Sequence, residues 1–427
     1  MLTFLGQHGG KLCDGLSRRE FLRVGGLGLT GLTLADVLRL KAQTPQRQTD
    51  DKSIIIVYLN GGAAQLDMFD VKPKAPSEFR GEFKPIQTNV PGFLVSEHLP
   101  LHAKIADKYT IVQGMQTITS GHSLYEASSG FASGVVKRPA IGSIISRFDK
   151  RRDKSMPASV SMAYDAGPAY LGPKYASFSP NGGLMRDLYS NGGIPQNRVD
   201  LLRSLDNLRR EIDAHEQLLA TDEFTKKAIE MLASTKIREA FDVNKEPEKV
   251  RERYGKHTYG GVTLLQALRL AEAGVSCVTV YGPGNNKWDT HKNNFKTMKE
   301  QILPHYDKSI HAMITDLYDR GLDKKVLIAI YGEFGRTPRI NKNAGRDHYP
   351  QSGFVQLAGG GLKMGQTIGD TGLRGDWDIS RSKPYTIQNL FATFYHLLGI
   401  DPSIKIPDNF GRPQYILEQR EKIEELF

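Results

Sequence analysis

The chain has 427 residues, 39% hydrophobic and 24% charged, a globular composition with enough apolar material for one large α/β domain or two ordinary ones. A formal charge of +10 favours anionic partners such as phosphate or sulfate esters, acidic glycans or envelope surfaces. Lys and Arg are spread along the chain rather than gathered with aromatics, which argues against nucleic acid; only two cysteines, Cys13 and Cys277, exclude a disulfide framework or a Cys-type zinc site.

The N-terminus carries Ser17-Arg18-Arg19-Glu20-Phe21-Leu22 followed by a Gly/Leu stretch from Val24 to Leu32. Paired arginines, then Phe-Leu, then a mildly apolar run form the twin-arginine export pattern, which predicts a leader over residues 1–46 and a protein sent to the periplasm or cell envelope. The run is too short for a stable membrane span and is closed by Asp36 and Arg39, so no transmembrane helix is expected beyond the leader.

A polar linker leads into Ser53–Leu59, an unbroken β-branched run of the kind buried on both faces of a sheet, which stops at Asn60-Gly61-Gly62. A second strand is expected at Tyr109–Val112. Residues 181–256 are long, charged and helix-favouring, and read as a helical insertion serving as a lid or a packing arm. Val262, Leu265, Leu268 and Ala271 then mark a helix ending near Gly274, before a buried strand at Val275–Tyr281. Apolar residues from Phe295 to Leu317 recur at helical steps, with Pro304 either kinking that helix or opening its second half. Strands follow at Val326–Tyr331 and Phe354–Ala358. Strand, helix and strand in this rhythm predict a mainly parallel sheet over residues 47–427.

Ligands of open α/β sheets gather outside the carboxyl ends of the strands, and four polar clusters fall there. They are Gln65-Leu66-Asp67-Met68-Phe69-Asp70, Trp288-Asp289-Thr290-His291, Gly332-Glu333-Phe334-Gly335-Arg336 and Gly345-Arg346-Asp347-His348. Carboxylates with imidazoles suit a divalent ion (Zn²⁺, Mn²⁺, Mg²⁺ or Ca²⁺), the imidazoles tilting the choice towards transition metals. Candidate ligands are Asp67, Asp289, His291, Glu333, Asp347 and His348. Arg336 and Arg346 suit bidentate capture of an anionic tetrahedral group. Ser120-Gly121-His122-Ser123 offers a hydroxyl nucleophile, Ser123 or Ser120, with His122 as base or ligand. Plainer readings stand beside these: Asp67, Asp70, Ser120 and Ser123 equally suit helix caps, and Asp347-His348 a loop ion pair. His98 and His102 read as exposed imidazoles at a helix entry. Gly359-Gly360-Gly361 lacks the Lys-Ser/Thr of a phosphate loop.

Together the twin-arginine leader, Gly61-Gly62 through Asp70, the His122 segment, Trp288–His291, and Glu333–His348 resemble the domain-of-unknown-function 1501 family, placed in the alkaline phosphatase and sulfatase superfamily. That resemblance implies a three-layer, alkaline-phosphatase-like α/β fold with a mainly parallel central sheet. It also implies a metal-assisted hydrolase acting on a phosphate or sulfate ester, the substrate being an anionic small molecule or a sulfated or phosphorylated glycan. The chain departs from the superfamily pattern in three places. The first strand ends in Asn60 with the nearest acid at Asp67, Glu333-Phe334 stands where many relatives have Asp-His, and no Cys lies in the 120s to become a formylglycine. Two further readings stay open on the same scaffold: a catalytically inactive envelope protein binding an acidic glycan or a partner protein, and an isomerase or phosphoryl-transfer enzyme.

Overall fold

The computed structural model describes residues 51–151, 155–180, 234–255, 260–376 and 384–427. The expected leader and most of the expected insertion, through residue 233, lie outside the described residues.

Seven strands build the main sheet: β1 (Ser53–Tyr58), β2 (Tyr109–Met115), β3 (Ser159–Met162), β4 (Cys277–Tyr281), β5 (Val326–Tyr331), β6 (Gly353–Gly359) and β7 (Thr367–Ile368). Their order is β7-β2-β6-β5-β1-β4-β3. β1 pairs in parallel with both β4 and β5, and β3 with β4 and β7 with β2 do the same. β6 is antiparallel to both of its neighbours, so it alone runs the other way. Every residue of β1 and of β5 is buried, as continuous apolar runs in a covered central strand must be.

The two faces of the sheet pack against separate helical layers. Ile55 and Val57 of β1 join Leu264 and Leu268 of one helix (Gly261–Glu272) and Ile310, Met313 and Leu317 of another (Leu303–Asp319). Ile54, Ile56 and Tyr58 point the opposite way, into Ile141 and Ile144 of the helix Ile141–Arg147 and Leu390 and Phe394 of the helix Ile387–Leu397. Alternate residues of one strand therefore feed two cores, which makes a three-layer α/β protein. The described tail of the expected insertion forms helices Thr235–Phe241 and Glu248–Tyr254, whose Ile237, Phe241 and Tyr254 are buried in the first core. Pro304 opens the second half of its helix: a π-helical stretch over Met298–Ile302 gives way to regular α-helix from Leu303. A proline lacks the N–H for the next intrahelical bond, and the wider turn before it absorbs that loss.

The reversal of β6 enriches one edge of the sheet in loops. Where β1, β4 and β5 end, β6 begins, with Val355 opposite Tyr331. Segments that leave β1, β2, β4 and β5 and the segment that enters β6 meet at that edge.

Candidate metal centre at the strand ends

β1 leaves the sheet through Gly61, whose φ of +110° is a conformation that glycine adopts without strain. A Cβ there would stand 2.6 Å from the backbone nitrogen of Asp289. The Gly61 N–H donates to both oxygens of Glu333, at 2.8 and 3.1 Å. Glu333 itself is buried, two residues beyond β5.

Asp289 follows a short 3₁₀ turn (Asn285–Trp288) after β4. Buried Trp288 donates from Nε1 to the Pro283 carbonyl at 2.8 Å and fixes that turn. Beyond it, the carbonyl of His291 faces Gly345, where a Cβ would sit 2.0 Å away, so only glycine lets the two loops touch. Asn341 clasps them by donating to the His291 carbonyl at 3.0 Å and to Asp347 Oδ1 at 3.1 Å. His348 is delivered by a two-stranded ribbon in which it pairs with Arg336. His122 comes from the loop after β2.

Four side chains converge: His122, Asp289, His291 and His348 present donor atoms that all lie within 4.8 Å of one another. Asp289 Oδ1 is 3.1 Å from Nε2 of both His291 and His348. Asp289 Oδ2 is 3.3 Å from His122 Nε2. The Nε2 atoms of His291 and His348 are 3.0 Å apart. The other nitrogen of each ring faces an acceptor: His348 Nδ1 the Ser120 carbonyl at 2.6 Å, His291 Nδ1 Asp347 at 2.6 Å, and His122 Nδ1 Glu333 at 3.1 Å. A carbonyl oxygen only accepts, so the proton of neutral His348 is on Nδ1 and its Nε2 carries a lone pair. In neutral His291 and His122 the Nδ1 proton likewise faces an oxygen of Asp347 and of Glu333. In the neutral rings three lone pairs then face the Asp289 carboxylate, an arrangement that a cation between them satisfies, and outer acceptors of this kind are what orient histidine ligands. The donor set fits a divalent ion.

Burial works to raise the Asp289 carboxyl, but the hydrogen bonds of Arg336 and His348 and the charges of Arg336 and His291 outweigh it and the pKa falls to about 2. The hydrogen bond from His291 holds Asp347 below the usual carboxylate range. Phe334 walls the cluster, its ring centre 4.1 Å from that of His348 and 5.3 Å from that of His122.

The remaining predicted site residues fall elsewhere or take other roles. Asp67 is fully buried and receives both Nε and Nη2 of Arg346, at 2.8 and 2.9 Å, plus Nδ2 of Asn294 at 2.8 Å. Arg346 spends its other donors on the carbonyls of Phe79, Thr337 and Pro338, which leaves nothing for an anion. That corrects both expectations: the two residues neutralise each other instead of serving as ligand and clamp. Arg336 is buried as well, donating to the carbonyls of Gly61, Gly62 and Arg346 and to Asp289, so it supports a ligand and does not reach outward. Glu333 and Asp347 stand behind the imidazoles, outside the converging set. Ser120 contributes its carbonyl; Ser123 Oγ accepts the Tyr125 N–H at 3.3 Å at the start of the helix Tyr125–Ser129, beside His122. His102 is not exposed: it is buried against Asp307, Nδ1 to Oδ1 at 2.7 Å, and stacked on Tyr306. Sequence reading missed the Gly61 amide and Asn341. The signal for the first was Gly61-Gly62 directly after a buried strand; Asn341 lay within the segment that carries the family resemblance.

Fold and donor set together define an α/β protein with a candidate metal centre where its central strands end. The chain belongs to the family described as "Protein of unknown function (DUF1501)", whose model matches residues 51–427. No curated protein matches it in sequence. Among solved structures, the PsFucS1 sulfatase from Pseudoalteromonas sp. is similar at 10% identity, covering 90% of this chain and 72% of that one, with a TM-score of 0.34. A second is titled BT33494S-sulf, from glycosaminoglycan metabolism by Bacteroides thetaiotaomicron. It is 13% identical, covers 82% of this chain and 73% of that one, and has a TM-score of 0.36. At such scores neither likeness bears on function, which this chain's own residues must decide.

Proposed function

We propose that this chain is a metal-dependent hydrolase of phosphate or sulfate esters, exported by the twin-arginine route to the periplasm or cell envelope. One observation carries the reading. Three imidazole lone pairs and the Asp289 carboxylate converge at the edge where an α/β sheet binds its ligands, each ring fixed from behind by an acceptor. Asp289, His291, His348 and His122 would hold the ion, which when bound supplies Lewis acidity towards an ester oxygen. Glu333, Asp347 and the Ser120 carbonyl keep the protons on the three Nδ1 atoms. Arg336 keeps Asp289 ionised. Ser123, beside His122, is the hydroxyl we assign to attack on the ester or to positioning water. The net charge of +10 favours an anionic substrate, a small ester or a sulfated or phosphorylated glycan.

Metal content of the purified protein, measured beside turnover of a panel of aryl phosphates and aryl sulfates, tests this. A bound divalent ion and turnover that both vanish in Asp289→Ala are expected. A protein without bound ion, or turnover indifferent to that substitution, sinks it. A second reading is favoured by the donor count, because four protein ligands close a tetrahedral site as structural sites do. On that reading the protein holds one ion and binds an acidic glycan without turnover, which the same panel distinguishes.

A further inference from the structure

Resting on the metal-dependent reading, we infer that the centre takes one ion per chain and that this ion belongs to the zinc class, not to calcium or magnesium. Spacing, donor chemistry and the state of the neighbouring acids all point the same way.

Ligands about 2.0–2.1 Å from a tetrahedral zinc stand roughly 3.3 Å from one another. Here Asp289 Oδ1 is 3.1 Å from Nε2 of both His291 and His348, those two nitrogens are 3.0 Å apart, His122 Nε2 is 3.3 Å from the other Asp289 oxygen, and the whole donor set lies within 4.8 Å. Three of the four donors are imidazole nitrogens, which suit zinc and its first-row neighbours. Calcium asks for six to eight oxygens and magnesium for an octahedron of them, whereas of the four converging side chains among the described residues only Asp289 offers oxygen.

The count is set by what the nearby acids already do. Asp67 has both oxygens on Arg346 and one also on Asn294. Glu333 has both on the Gly61 amide and one also on His122. Asp347 Oδ1 takes His291 and Asn341. A second ion would find both oxygens of Asp67 and Glu333 taken and only Oδ2 of half-exposed Asp347 left, and the positive charge it would bring beside Asp67 is provided by the Arg346 guanidinium.

The test uses the full chain stripped of metal and titrated separately with Zn²⁺, Co²⁺, Ca²⁺ and Mg²⁺. We expect one Zn²⁺ or Co²⁺ per chain, a Co²⁺ visible spectrum of tetrahedral intensity, and no displacement by millimolar Ca²⁺ or Mg²⁺. His291→Ala should weaken Co²⁺ by more than about 100-fold, beyond the upper end of what loss of an outer-shell partner costs. His122→Ala, a substitution on an exposed loop, repeats the measurement should the first variant fold poorly. Two ions per chain, or tighter Ca²⁺ or Mg²⁺ than Zn²⁺, would overturn the inference and leave a metal-dependent hydrolase standing. Zinc bound as described without ester turnover would do the reverse. No ion of any kind would remove both.

Discussion

Asp67 and Asp289 are two carboxylates at the same edge of the same sheet, one beyond β1 and the other beyond its neighbour β4. Their surroundings make them opposites. Asp67 is fully buried and closed off by a two-pronged guanidinium, whereas Asp289 is a third exposed and faces three nitrogen lone pairs. A carboxylate whose charge is answered inside the fold is part of the framework. Asp289 also has a guanidinium, since Arg336 donates to its Oδ1, but a single prong leaves the carboxylate open to the three imidazoles and to a cation between them. Position at a strand end is common to both, so the partner decides the role.

The largest effect that would break this comparison lies on the closed side. Asp67→Ala leaves the Arg346 guanidinium buried without its counter-charge, and should cost about 3–5 kcal/mol of stability in a denaturant titration. A loss near zero would put Asp67 in the open class. On the other side, zinc held at a hundred times its dissociation constant should stabilise the stripped protein by about 2.7 kcal/mol, read as a rise in the unfolding midpoint. The gain should disappear in Asp289→Ala. Glu333→Leu should lower Zn²⁺ affinity by about 10–100-fold, because an apolar side chain no longer accepts the proton on His122 Nδ1. Unchanged affinity by competition titration would mean that His122 is not among the donors. Smallest in stability is Ser123→Ala, within about 0.5 kcal/mol of wild type. Its turnover of aryl esters should nonetheless collapse if the hydroxyl attacks, and persist if it only accepts the Tyr125 N–H.

Much of the fold was legible from residue pattern. β1 and β5 are nearly unbroken apolar runs, and β4 and β6 are apolar runs broken only by Thr279 and Gln356; such runs announce themselves wherever both faces are covered. β3, the four residues Ser-Val-Ser-Met at the sheet margin, gave no such signal, nor did two-residue β7. The reversal of β6 was invisible for a different reason: an apolar run has no direction until its partners are known. In the site, Asp289, His291 and His348 were read as ligands because acid and imidazole stand together after a strand. The fate of Arg346 could not be read. A guanidinium beside Asp-His looks like an anion clamp, and only the fold brings Asp67, 279 positions away, onto its fork. Glu333 was misjudged in the same way, since its two oxygens are filled by an amide from the exit of β1.

The reversed strand also sets when the site can exist. Asp289 and His291 share one strand exit, but His122 follows β2 and His348 is carried on the ribbon that leads into β6, so no local stretch of chain contains more than two donors. Pairings this distant in sequence form late in folding, after local helices and turns. Ion capture is then a closing event, and the rate at which a refolding chain takes up Co²⁺ should follow the final assembly of the sheet, not its early collapse. The centre thereby serves as a clock for completion, reporting the moment at which β1, β2, β4 and β6 come into register.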